Sequence, residues 1–214
     1  MKGSKLFRHL AAALILAALS ACKDAPPVIR DVQFKAVFDY GGPGQKPTVQ
    51  ALLFVQPDTD VTLTDRIQLR ELATGYVWTI EDPAVLEKSG KAWAGGVRLA
   101  RPGGAFRNGE YLVRYIDTAE RESELVVTLA YPAELPGLTA DGAAKIADTG
   151  YTASVALYDG EENLMYFDKK RDRWTEDAAI LADYPNAVFS RECLSGPGYS
   201  ADIMLPLKTL EGRQ

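Results

Sequence analysis

From Asp31 onward, apolar and polar residues alternate one by one. Val32, Phe34, Ala36 and Phe38 fall on one side, Gln33, Lys35, Val37 and Asp39 on the other. A period of two predicts a half-buried strand. Gly41-Gly42-Pro43-Gly44 interrupts it, and residues 48–55 predict a second, more apolar strand closed by Gln56-Pro57-Asp58. Residues 66–70 alternate again, as do residues 76–80 after Thr74-Gly75. Asp82-Pro83 offers an N-cap followed by proline at the first helical position, which predicts a short helix ending at Gly90. Residues 93–99 form a weaker strand pattern broken by Gly95-Gly96. Asn108-Gly109 then turns the chain into residues 111–116, and residues 124–129 follow a charged turn.

About seven short strands in ~100 residues, with turn signals between them, predict an antiparallel β-sandwich over residues 30–131. Residues 108–117, Asn-Gly-Glu-Tyr-Leu-Val-Arg-Tyr-Ile-Asp, resemble the late strand pair of immunoglobulin-like and fibronectin-type domains, where a small turn leads into a strand carrying a tyrosine. The Cys…Trp…Cys signature of antibody domains is absent, and a small β-barrel is the alternative architecture. Tyr131-Pro132 to Pro136-Gly137 reads as a connection. Residues 138–210 predict a small α+β region: strands at 152–158 and 164–168 around Asp159-Gly160, one helix, and strands at 187–194 and 199–205. Thr175 is the expected helix cap, Ile180, Leu181 and Tyr184 the buried stripe, and Pro185 the stop. The fold class expected is thus mainly β, an immunoglobulin-like sandwich followed by this α+β region.

The first residues follow a different logic. Lys2, Lys5 and Arg8 precede an apolar run, residues 10–21, broken only by Ser20. Twelve helical residues rise about 18 Å, short of the roughly 30 Å hydrocarbon core, so the segment suits a cleaved signal better than a span. Leu19-Ser20-Ala21-Cys22 resembles the lipobox of bacterial lipoproteins. That resemblance implies a signal peptide over residues 1–21, cleavage after Ala21, and lipid on the Cys22 sulfur with, usually, acylation of the new amino group. Residues 22–29 would then be a lipidated tether stiffened by Pro26-Pro27, and the chain would be extracytoplasmic, held on a bacterial membrane by that anchor.

Removing residues 1–21 changes the charge. The full chain has 24 Lys+Arg against 29 Asp+Glu; losing three bases and no acid moves the net charge from −5 to −8. Such an acidic chain is a poor partner for nucleic acid or anionic lipid. The only histidine, His9, leaves with the signal. Ser-His-Asp, Cys-His and His-ligated metal chemistry are thereby excluded from the mature chain. With Cys22 acylated, Cys193 is the remaining thiol and no internal disulfide can form. A reactive thiol needs a base or cations around it, and only Arg191 is near in sequence, so Cys193 is expected buried and structural, with a disulfide-linked dimer or partner the alternative.

The densest acids are Asp58, Asp60 and Asp65, and Asp159, Glu161 and Glu162. Both groups read as solvated turns; a loose calcium site in either loop is the alternative, although the second lacks the calcium-loop spacing. Lys169, Lys170, Arg171 and Arg173 beside Trp174 form the basic cluster, a solvated hairpin end or a contact for headgroups or acidic glycan. Trp78 lies in an apolar strand and is expected in the core, while Trp93, beside glycines, is the ring expected to be exposed. No catalytic, cofactor-binding or metal-ligating residue is assigned. The function expected is a non-catalytic binding or assembly module of the cell envelope, its partner an envelope protein or glycan. The alternative is a carboxylate-based glycan-active enzyme, which needs two acids about 5–9.5 Å apart in a cleft.

Overall fold

The computed structural model describes residues 25–147, 150–196 and 200–212. Residues 1–24, including Cys22 and the signal segment, lie outside them. Eight strands make two facing layers. One layer holds β1 (Ile29–Asp39), β2 (Thr48–Pro57), β5 (Ala84–Lys88) and β6 (Lys91–Ala100) in the order β1-β2-β6-β5. The other holds β3 (Thr64–Glu71), β4 (Val77–Ile80), β7 (Gly109–Asp117) and β8 (Glu122–Leu129) in the order β4-β3-β7-β8. These two orders, with all neighbours antiparallel, are the strand arrangement of immunoglobulin-type sandwiches.

Alternation in sequence becomes alternation in burial. Phe34, Ala36 and Phe38 of β1 and Leu53 and Val55 of β2 meet Ile67, Leu69, Tyr111, Val113 and Tyr115 of the opposite layer in one core. Trp78 joins it as expected, stacked on Phe106 at 4.8 Å, with its indole N–H donating to the Ala100 carbonyl. The Tyr111 hydroxyl donates to the Arg107 carbonyl four residues upstream at 2.8 Å. This is the tyrosine corner of such sandwiches, and it ties the loop before β7 to the strand it enters. Trp93, in contrast, is only 4% exposed, so the ring expected outside is inside.

The helix expected over residues 82–90 is absent, and β5 stands in its place. Ser89 and Gly90 both adopt positive φ, 53° and 71°, and join Lys88 to Lys91 across a two-residue turn. Such turns match the natural twist of a hairpin. Every residue of β5 is exposed, so no amphipathic face existed to favour a helix. A helix the pattern did not predict, α1 (Ala140–Ala147), instead buries Ala140 and Ala143 against the main core.

The C-terminal strands extend the larger sheet. β9 (Thr152–Tyr158), β10 (Leu164–Lys169), β11 (Phe189–Ser195) and β12 (Ala201–Met204) continue it in the order β10-β9-β11-β12-β1, and the short β13 (Lys208–Thr209) pairs with β11. The junction is parallel: Ala36 faces Ala201 and Phe38 faces Ile203. Helix α2 (Asp177–Asp183) covers a second core of Val155, Leu157, Trp174 and Ile180. Its N-cap is Glu176, one residue beyond the Thr175 expected.

Gly95 makes a direct test of this packing. A Cβ there would fall on the Leu53 carbonyl oxygen and lie 2.7 Å from Phe54 Cα, both backbone atoms of the paired strand. Gly95→Ala is therefore expected to cost several kcal/mol or to prevent folding. Gly44→Ala, where a Cβ meets nothing within 4 Å, should shift the urea midpoint little.

Candidate functional site

The two acidic groups fold into their own loops. Asp58 accepts from the Val28 amide and pairs with Arg30; Asp60 accepts from the Thr62 amide and hydroxyl; Asp65 pairs with Arg66. Asp159 accepts from the amides of Glu161 and Asn163 and from the Asn163 side chain. Asp58, Asp60 and Asp159 accept from backbone amides in their loops while Asp65 lies in β3, and among the described residues no group of three or more Asp, Glu, His or Cys is placed to hold a metal ion.

The basic cluster is half internal. Arg171 sits among three rings, its guanidinium carbon 4.9 Å from the Trp174 centroid, 5.4 Å from Tyr166 and 5.6 Å from Tyr184. Asp183 receives Arg171, Arg173 and the Trp174 indole N–H at 2.6–2.9 Å. Hydrogen bonds from Trp174 and Arg173 hold the Asp183 carboxyl below its ordinary range, against a smaller opposing effect of desolvation. Lys169 and Lys170 are exposed, as is Arg173 despite its ion pair with Asp183.

A cleft of about 580 Å³ lies elsewhere, on the face of the large sheet turned away from the sandwich core. Its floor is Val37 of β1, Leu52 of β2, Val97 of β6 and Met204 of β12, with Leu207 on one wall. These are the outward positions of strands whose inward positions form the core, so the same alternation that builds the sandwich builds this floor. A bulge shapes it: Leu53 faces Gly96 and Ala51 faces Leu99, so Val97 and Arg98 together oppose Leu52. Arg98 takes φ of 62° there, and both its side chain and that of Val97 stand exposed. Bulges re-aim side chains in this way.

Charge is arranged around the apolar floor. Arg98, and Glu162 in the β9–β10 turn, line the cleft without a side-chain ion pair or hydrogen bond among the described residues. Asp39 and Arg191 close it between them with an ion pair, and Arg191 also donates to the Leu205, Tyr40 and Met204 carbonyls. Burial pushes the Tyr158 phenol, at the same cleft, above its usual pKa. The arrangement suits binding of an amphipathic group: an apolar patch of ligand size, one cation and one carboxylate without internal partners, and a phenol.

Comparisons with protein-family models, with curated proteins and with solved structures find no match. Of the residues at the cleft, the sequence pattern singled out Glu162 and Arg191, each for another reason. Arg98 was not singled out. Its signal was Gly95-Gly96 within a strand, a mark of a nearby bulge.

Cys193 is 5% exposed, and burial raises its thiol to about 11. Thiol labelling of the folded chain at pH 8 is expected to be slow and to become fast in denaturant; fast native labelling would contradict the burial. Because the unfolded thiol ionises near its ordinary value of 9.0, stability should also fall as pH rises from there through the folded value. Asp183 carries the opposite sign. Its contribution is present above about pH 4, where an unfolded aspartate is ionised, and is lost as pH falls through the lower folded value. Asp183→Asn should therefore be less stable than the parent at pH 7, with the difference closing in acid; a difference that does not depend on pH would overturn this.

Proposed function

We propose that this chain is a lipid-anchored, extracytoplasmic binding module of the bacterial envelope whose ligand site is the cleft over Val37, Leu52 and Val97. The cleft itself is the observation that carries the reading: it pairs a half-buried apolar floor with Arg98 and Glu162, charges that the protein does not use internally. An extended peptide segment of an envelope partner fits that chemistry, with apolar side chains on the floor and backbone or charged groups at the rim. The anchor rests on the lipobox-like segment ending at Cys22.

The geometry also relates the two ends. The Ala25 carbonyl accepts from Arg121 in the β7–β8 turn, at the end of the sandwich where β1 begins with Ile29. The cleft lies at Asp39, where β1 ends. Ten residues of strand separate them by about 33 Å. A chain tethered at Cys22 would thus hold the cleft away from the bilayer, open to a partner.

The carboxylate-enzyme reading has less support. Asp39 and Glu162 both line the cleft, but Asp39 is bound to Arg191 and Glu162 stands in solvent on a turn. Neither has the apolar surroundings that hold a general acid protonated.

Two variants test the proposal in cells. Cys22→Ala should release the chain from membranes or leave an uncleaved precursor; normal cleavage with continued membrane fractionation would refute the anchor. A photo-crosslinking residue at Val97 should capture one discrete partner, and Leu52→Glu in the same chain should abolish the adduct. Equal capture from Val126 on the opposite layer, or indifference to Leu52→Glu, would refute the cleft.

A further inference from the structure

We infer that β5 is a self-pairing edge, through which two copies of this chain join their large sheets antiparallel about a twofold axis at Val85. The sheet order ends at β5, so its outer side has no strand partner among the described residues. The two-residue turn fixes which groups face outward. Lys88 and Lys91 close that turn as a hydrogen-bonded pair, so Leu86 and Ala84 also bond inward to β6. Val85 and Glu87 therefore present their N–H and C=O groups outward, and Pro83, at the strand entry, presents a C=O.

A second copy matches this row in one register. With Val85 opposite Val85 of the second copy, two hydrogen bonds form at the centre. The Glu87 amide of each copy then donates to the Pro83 carbonyl of the other. Proline's missing N–H removes only the return bond. The same register brings Asp82 of each copy, in the bend just before the strand, to the end of the seam where Lys88 of the other copy lies, so opposite charges meet at both ends. The side chains agree: Val85 is paired with Ala94, a fully buried core residue, yet is itself 52% exposed. Pairing would continue that apolar surface into the second copy.

The other edges fit less well. β4 has four residues, and β10 is broken by a register shift between Leu164 and Tyr166. Beside β8, Ser200 already occupies the Thr128 and Ala130 carbonyls. β5 is regular from end to end. A seam of five residues buries less than the ~1,200 Å² of stable interfaces, so the pairing is weak for a chain free in solution. Confinement to a surface raises the effective concentration and favours it; that enhancement rests on the Cys22 anchor, whereas the pairing does not.

Cysteine cross-linking of the full chain in its native membranes reads out the register. Residues opposite each other in a hydrogen-bonded pair have Cα atoms about 5.5 Å apart, within disulfide range. Val85→Cys should give a reducible dimer as the main species under mild oxidation. Leu86→Cys faces residue 84 of the other copy, not itself, and should stay at the background of the parent chain. In the Val85→Cys chain, Lys88→Asp should reduce the dimer at least fivefold, and adding Asp82→Lys should restore it. Sedimentation of the purified chain carrying only the charge changes checks the same order without a cysteine. Equal cross-linking at positions 85 and 86, no dimer at 85, or a dimer indifferent to charge reversal would overturn the proposal. Loss of membrane association in Cys22→Ala with charge-dependent dimers persisting at high concentration would support the pairing; membrane retention in that variant would count against the anchor alone.

Discussion

β1 is bonded on both sides, antiparallel to β2 and parallel to β12, and the rest of the molecule is arranged about that fact. In an immunoglobulin-type sandwich the first strand ends its sheet. Here the strands after residue 150 are laid against that edge, which turns an exposed row of backbone groups into the middle of a longer sheet. The two faces of β1 then have separate duties. Phe34, Ala36 and Phe38 close the core, while Val37 and Asp39 reach the cleft. The cleft exists because the sheet is wide enough for a floor drawn from β1, β2, β6 and β12. A sandwich without the added strands would lack Met204, Leu207 and the Glu162 turn.

Among the described residues the one cysteine, Cys193, is a buried free thiol, so no disulfide fastens them. Fastening falls to buried or half-buried polar groups that each take several partners. Asp117 accepts from the amides of Ala119 and Arg121 and from the Arg121 guanidinium, closing the β7–β8 turn. Glu71, 2% exposed, takes Arg101 and the Thr74 hydroxyl and so joins β3 to the end of β6. Asp183 collects two arginines and an indole at the C-terminal end. Carboxylates with several donors are the strong form of hydrogen bonding. An acidic composition that looked like a solvated surface is thus partly structural.

How much of this was legible in the sequence depended on distance along the chain. Strand alternation is local, and β1, β2, β3, β7 and the β9–β10 hairpin followed from it. β5 was misread because Asp82-Pro83 is a sound helix start and Ala-Val-Leu-Glu-Lys suits a helix, whereas Ser89-Gly90 decided the outcome by the turn it permits. Trp93 was misplaced because flanking glycines suggested openness; Gly95 instead lets β2 and β6 approach closely, and the ring is buried. The cleft was not legible at all. Its walls come from residues 37 to 207, and no local period says that Val97 and Leu207 meet.

The parallel junction also sets an order of events. Lys35 bonds Asp202 across 167 residues, and Arg191 bonds Asp39 across 152. A chain made from its N-terminus at about 5–20 residues per second leaves the β1 edge open for roughly 8–33 s before its partner strand exists. Pairings that close such long loops form late and slowly. For that interval β1, paired on one side by β2, leaves its other edge open, the kind of edge that templates aggregation. The last strands of this protein therefore act as a seal on its first, and any truncation that removes residues 201–204 leaves the sandwich with that edge permanently open.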